Sequence, residues 1–206
     1  MLKPVTPEAV PGKAVRTPMG RRHAAQFLNG LSLARMVLGV PVIALILLGP
    51  SAGYCFVIAA VLFTVAAATD FLDGYLARRW HATSDLGVFL DTTADKMLVS
   101  AALIALVAIG HASPWVAAVI IWRELAVMGL RAAAAASGTV VYPTIWGKLK
   151  FNVQFVAILL AMLRYHHRIG PMYLDQWAMT VAAVVTVLSA WSYLSRLPAL
   201  LKGTRQ

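Results

Sequence analysis

Asp70, Asp73, Asp91 and Asp95 place half of the chain's eight acidic residues inside one short stretch. Asp70 and Asp73 are three residues apart and Asp91 and Asp95 four, so on helices each pair projects from a single face. Carboxylates crowded together need shared positive charge to stay ionised, and oxygen-only groups of this kind are ligands for hard divalent cations. The competing reading is structural: an acidic side chain near a membrane interface can reach water or pair with a basic neighbour. Asp85, close to His81 and Ser84 in a polar loop, fits that description, and Arg78, Arg79 and Lys96 can offset part of the charge. Four carboxylates at paired spacing fit it poorly, because each costs about 2.5–3.5 kcal/mol at mid-bilayer unless neutralised.

The elements that must carry these carboxylates are apolar. Hydrophobic residues make up 60 % of the chain and charged residues 13 %, which excludes an ordinary soluble domain. No charge occurs between Arg35 and Asp70, or between Lys96 and Arg123. The first run exceeds one membrane span and is broken by Gly49-Pro50-Ser51-Ala52-Gly53. The pattern predicts an all-α integral membrane protein with six transmembrane helices, at 29–48, 54–79, 88–109, 114–134, 147–165 and 174–196. Residues 1–20, with Pro4, Pro7, Pro11 and Pro18, read as a disordered tail. The membrane domain then covers 21–200, Arg21 to Phe27 forms a basic stretch on the membrane surface, and 201–206 is a C-terminal tail.

With the N-terminus inside the cell, sixteen of the eighteen basic residues fall on the inner side and only Arg164 and Arg168 on the outer. The acidic cluster then opens to the cytoplasm, and both termini are cytoplasmic. The net charge of +10 belongs to this inner ring, which faces anionic membrane lipids. No soluble basic and aromatic patch exists for nucleic acid. Cys55 is the only cysteine and lies in an apolar run, so no intramolecular disulfide forms. His23, His81, His111, His166 and His167 lack ligand spacing, which argues against zinc.

The string Asp70-x2-Asp73-Gly74-x2-Ala77-Arg78-x8-Gly87-x3-Asp91-x3-Asp95 resembles the full signature of the CDP-alcohol phosphotransferase family. The wider likeness runs over most of residues 27–196. It looks closest to the bacterial branch that makes phosphatidylglycerol phosphate from CDP-diacylglycerol and glycerol 3-phosphate. Arg123-Glu124 through Arg131, Gly147-Lys148-Leu149-Lys150, and Asn29 through Ser32 to Arg35 carry that closer likeness. Thr92 and Gly30 depart from it, each standing where proline is common.

The resemblance implies transfer of a phosphatidyl group from CMP to an alcohol, in the inner membrane of a bacterial-type cell, by a homodimer. It implies two Mg²⁺ or Mn²⁺ ions on Asp70, Asp73, Asp91 and Asp95, with Asp95 as base on the acceptor hydroxyl. Asp73, Gly74, Ala77, Arg78 and Gly87 resemble the nucleotide pocket, with Ser32 and Arg35 as flanking candidates. As alternatives, Ser32 is an interfacial serine and Arg35 a topology anchor. A dianionic acceptor needs cations of its own, for which Arg123, Arg131, Lys148 and Lys150 are the candidates. Arg123 and Glu124 are about 100° apart on a helix, an awkward direct pair. Lys148 and Lys150 point in different directions, which favours Lys148 for the ligand and leaves lipid contact as the other role for a lysine here.

Three rivals follow. The same chemistry can serve another acceptor, such as inositol phosphate, phosphatidylglycerol or serine. A cation transporter needs polar residues continuing to the opposite leaflet, but Val57 to Val65 and Leu98 to Ile109 are apolar. Prenyl transfer also uses acidic clusters, without needing Gly74, Arg78 and Gly87.

Overall fold

The computed structural model describes residues 19–79, 85–136, 145–163 and 168–194. Most of the expected N-terminal tail, the whole C-terminal tail, the loop at 137–144, and residues His81, Arg164, His166 and His167 lie outside the described residues, as do the side chains of Asp73, Ala77, Arg78, Asp85 and Lys148. The described chain is helical: α1 Met19–Leu48, α2 Tyr54–Arg79, α3 Asp85–Ala108, α4 Pro114–Ala136, α5 Ile145–Leu163 and α6 Leu174–Leu194. A two-residue hairpin, β1 Arg168–Ile169 and β2 Met172–Tyr173, precedes α6.

Helix ends differ from the sequence expectation in two informative places. The first helix begins at Met19, ten residues early, so Arg21 to Phe27 continues α1 and is no separate surface stretch. Beyond Pro18 no proline occurs until Pro41, and the intervening Met, Ala, Arg, Gln and Leu favour helix. Asp85 opens α3 and does not lie in a loop before it. The hairpin was not expected; Gly170 makes it possible by taking a left-handed backbone (φ 65°) ahead of Pro171.

Among the described residues two segments, His23–Leu48 and Tyr54–Leu72, are long and apolar enough to cross a membrane. Shorter apolar stretches occupy Lys150–Leu163 and Leu174–Ala190. The exterior is as greasy as the core, with Trp115 and Trp122 each at least 80 % exposed. Inside, Val42 and Ile46 pack with Ala59, Phe63, Ala66, Ala102, Leu103 and Leu106, and small alanines bring the helix backbones close.

The packing order positions the site. α1 packs extensively against both α3 and α2, whereas α2 and α3 share only a few contacts of their own. Among the described residues the signature helices meet chiefly through side chains: α1 lies against both, and its Arg35 bonds Asp70 and Asp91 at once. α5 and α6 form a second pair, joined to the first through α2, α3 and α4.

Among the described residues, the α1–α2 turn holds a glycine that is sterically required. A Cβ on Gly49 would stand 2.2 Å from the Phe56 ring. That ring is itself stacked on His111, with centroids 5.2 Å apart, so it cannot simply swing away. Gly49→Ala is expected to lower stability by about 1–3 kcal/mol. Thermal unfolding in detergent measures this, and adding Phe56→Ala must recover part of the loss if the clash is the cause.

Candidate active site

α1 brings Arg35 into the gap between α2 and α3, where its side chain is only 2 % exposed. One nitrogen, Nη1, donates to Asp70 Oδ1 on α2 and also to Asp91 Oδ1 on α3 at 3.1 Å. Arg35 ties the carboxylates of two helices together. A single positive charge opposes two negative ones there, and the signature places Asp73 one turn from Asp70. This all-oxygen, under-neutralised group fits a divalent cation. Among the described residues no three acidic, histidine or cysteine side chains yet close on one point.

Asp95 lies one turn beyond Asp91 on α3 and belongs to a second charge group. Its Oδ2 accepts from Lys96 Nζ at 2.6 Å. Lys96 also stands 3.2 Å from Glu124 Oε2, an ion pair without hydrogen-bond geometry, since that oxygen has no hydrogen-bond partner. Glu124 Oε1 accepts from Lys150 on α5 and from Arg123 Nη1 at 3.4 Å. Arg123 Nη2 donates to Ser189 Oγ on α6 at 2.6 Å, and Ser189 Oγ in turn donates to the Thr186 carbonyl. Beneath this network, Gln154 Nε2 donates to Thr186 Oγ1 at 3.0 Å.

These contacts revise several expectations. Arg123 and Glu124 do pair, because the long arginine side chain curls back along α4 to cover the angular separation. Lys150 is buried and held by Glu124, so it makes no lipid contact, while the side chain of Lys148 lies outside the described residues. Ser32 is buried, its hydroxyl donating to the Leu28 carbonyl at 3.3 Å. Arg131 is half-buried near the C-terminal end of α4, eight residues from Arg123. Gly74, Ala77 and Arg78 sit on the last turns of α2, and Gly87 on the first turn of α3.

Glu124, Ser189, Thr186 and Gln154 had no assigned role in the sequence reading. A signal for them exists: Lys150 and Gln154 are four apart on α5, and Thr186 and Ser189 three apart on α6, so each helix carries one polar face amid apolar neighbours. A narrow cavity between α2, α3 and α5 adjoins Asp95, walled by Phe63, Phe151 and Phe155 with Gln154 at its polar side.

The bundle has an apolar exterior and brings carboxylates from α2 and α3 beside a buried cationic group. Residues 27–188 match the family model for CDP-alcohol phosphatidyltransferase, and the chain belongs to that family. It is an enzyme of phosphatidyl transfer, in a family that is membrane-embedded and generally dependent on divalent metal.

Curated relatives agree over nearly their whole length. CDP-diacylglycerol--glycerol-3-phosphate 3-phosphatidyltransferase of Bacillus subtilis (strain 168) is 39 % identical over 180 residues, covering 82 % of this chain and 93 % of the relative. The Escherichia coli (strain K12) protein of the same name is 40 % identical over 170 residues, covering 80 % and 91 %. A probable phosphatidylglycerophosphate synthase of Mycobacterium tuberculosis (strain ATCC 25618 / H37Rv) is 38 % identical over 191 residues, covering 91 % and 88 %.

Proposed function

We propose that this enzyme transfers the phosphatidyl group of CDP-diacylglycerol to glycerol 3-phosphate, giving phosphatidylglycerol phosphate and CMP. The printed activity of its relatives supports the acceptor, and so does the composition of the charged group beside Asp95. Lys96, Arg123 and Lys150 outnumber Glu124 and Asp95 by one, leaving a net positive charge in a buried place. That excess suits an acceptor bearing a phosphate, gives a neutral alcohol no charge to meet, and opposes the ammonium of serine while pairing with its carboxylate.

Asp70, Asp73, Asp91 and Asp95 would hold two divalent ions, Mg²⁺ or Mn²⁺. When bound, these ions supply neutralisation of the diphosphate and stabilisation of the departing CMP. The chain's own residues do the rest. Arg35 fixes Asp70 and Asp91 at one separation, whichever way α2 and α3 breathe. Gly74, Ala77, Arg78 and Gly87 offer a small-residue surface and one cation to the nucleotide. Arg123 and Lys150 bind the acceptor phosphate, with Arg131 and Lys148 toward the cytoplasmic entrance. Lys96 engages Asp95 Oδ2, which leaves Oδ1 to take the proton of the attacking hydroxyl.

All six helices span the membrane in this reading, with both termini and the catalytic cavity on the cytoplasmic side of the cell membrane. The basic inner ring rests on anionic lipid, and the enzyme acts as a homodimer. The observation carrying the proposal is that Lys96 joins Asp95 directly to the cationic group that would receive the acceptor.

Purified protein, CDP-diacylglycerol and a panel of alcohols test it. CMP release is expected to require divalent metal and to be at least about a hundredfold faster with glycerol 3-phosphate than with serine at equal concentration. Equal rates with serine, or a preference for inositol phosphate, would reject the acceptor assignment.

A further inference from the structure

Glu124 is a buried carboxylate with an unusual company of cations. Lys96 reaches it from α3, Arg123 from α4 and Lys150 from α5, and its side chain is 3 % exposed. A carboxylate needed only to neutralise a buried lysine would be matched one to one. Here a single negative charge collects three positive ones. Even with Asp95 counted as a second partner of Lys96, three cations face two carboxylates, and one positive charge is left over for an incoming phosphate.

Three cations from separate helices repel one another and separate unless something holds them. Glu124 has the geometry to do so: Oε1 accepts from Lys150 and Arg123, while Oε2 faces Lys96. Ser189 completes the support by accepting from the far nitrogen of Arg123, leaving the guanidinium braced at both ends. Lys96 is shared with Asp95, so the same side chain that borders the phosphate position also touches the carboxylate assigned to proton transfer.

We propose that Glu124 is a positioning residue, whose carboxylate gathers Lys96, Arg123 and Lys150 into a preformed receptor for the acceptor's phosphate and sets that receptor at a fixed distance from Asp95. The inference rests on glycerol 3-phosphate, or another phosphorylated acceptor, being the substrate. It adds a residue that touches no substrate. Glu124 acts through the cations it holds, and preorganisation is its contribution.

The charge argument separates this role from simple neutralisation. If Glu124 only offset positive charge, removing its charge would leave a more cationic pocket and bind a dianion as well or better. If it positions the cations, removing its charge lets them splay and weakens the acceptor selectively. Steady-state kinetics on the full-length, metal-supplied enzyme read the difference. Glu124→Gln is expected to raise KM for glycerol 3-phosphate about tenfold or more, while KM for CDP-diacylglycerol shifts by less than about threefold. Inhibition by inorganic phosphate should weaken in parallel. Glu124→Asp, which keeps the charge, should recover part of the acceptor affinity.

Ser189→Ala tests the same receptor without leaving a buried charge unopposed, and decides the matter if Glu124→Gln does not fold. It is expected to raise KM for glycerol 3-phosphate by about threefold, again without a matching change for CDP-diacylglycerol. An unshifted or lowered acceptor KM in the variants, beside a wild type that uses glycerol 3-phosphate, overturns the positioning role alone. A wild type that turns over only unphosphorylated alcohols overturns the acceptor assignment and this inference together.

Discussion

Asp91→Asn is expected to reduce metal-dependent CMP release by at least about a thousandfold, equivalent to about 4 kcal/mol of lost transition-state stabilisation. The substitution keeps the size of the side chain and one oxygen able to accept from Arg35 Nη1, now 3.1 Å from Asp91 Oδ1. What it removes is the negative charge contributed by α3 to a group that α2 supplies from the other side. Asp70 keeps its own bond to Arg35, so the fold should survive. The loss should therefore appear in turnover and not in expression or unfolding temperature. A second measurement isolates the cause. Added Mn²⁺ should raise the unfolding temperature of the wild type, because a ligand that binds only the folded state stabilises it, and should do so much less in the variant. Wild-type turnover in Asp91→Asn, still dependent on metal, would sink the assignment of these carboxylates.

The spacing of the aspartates was enough to single them out, because a three- or four-residue interval on a helix has one geometric meaning. The six helical segments were equally legible, as charge-free runs of this length have few alternatives. Neighbours were not. Hydrophobic all around, α1, α2 and α3 carry no stripe to say which face meets which partner, so the packing of α1 against both signature helices had no sequence signal. The partners of Arg35 were hidden for the same reason: it stood as a candidate at the pocket's edge or a topology anchor, and only the placement of its helix brings it to Asp70 and Asp91. Glu124 was obscured by a different rule. Adjacent residues on a helix diverge, yet an arginine is long enough to reach back, and α3 and α5 deliver lysines to the same carboxylate. The hairpin before α6 is too short for any periodicity to reveal, and only Gly170 before Pro171 hinted at a turn.

Arg35→Ala should expose how much of the site's architecture depends on one guanidinium. With divalent ions chelated, the substitution is expected to lower the unfolding free energy by about 1–3 kcal/mol, because it strands two carboxylates that were sharing a buried partner and keep only partial access to water. A topology anchor at the membrane surface would change stability by no more than about 0.5 kcal/mol. Arg35→Lys should fall between, since an ammonium supplies the charge but is a compact point donor on a more flexible stem. The instructive arm is the addition of excess Mg²⁺ or Mn²⁺. If Asp70 and Asp91 belong to a cation site, bound metal can take over the neutralisation that Arg35 provided. Metal should then stabilise Arg35→Ala by more than it stabilises the wild type, narrowing the gap between them. Unfolding followed in detergent, with chelator and with metal, measures both effects. A gap that metal leaves untouched would mean that Arg35 and the two aspartates form a closed structural ion group with no ion-binding role, and the active site would have to be sought elsewhere in the bundle.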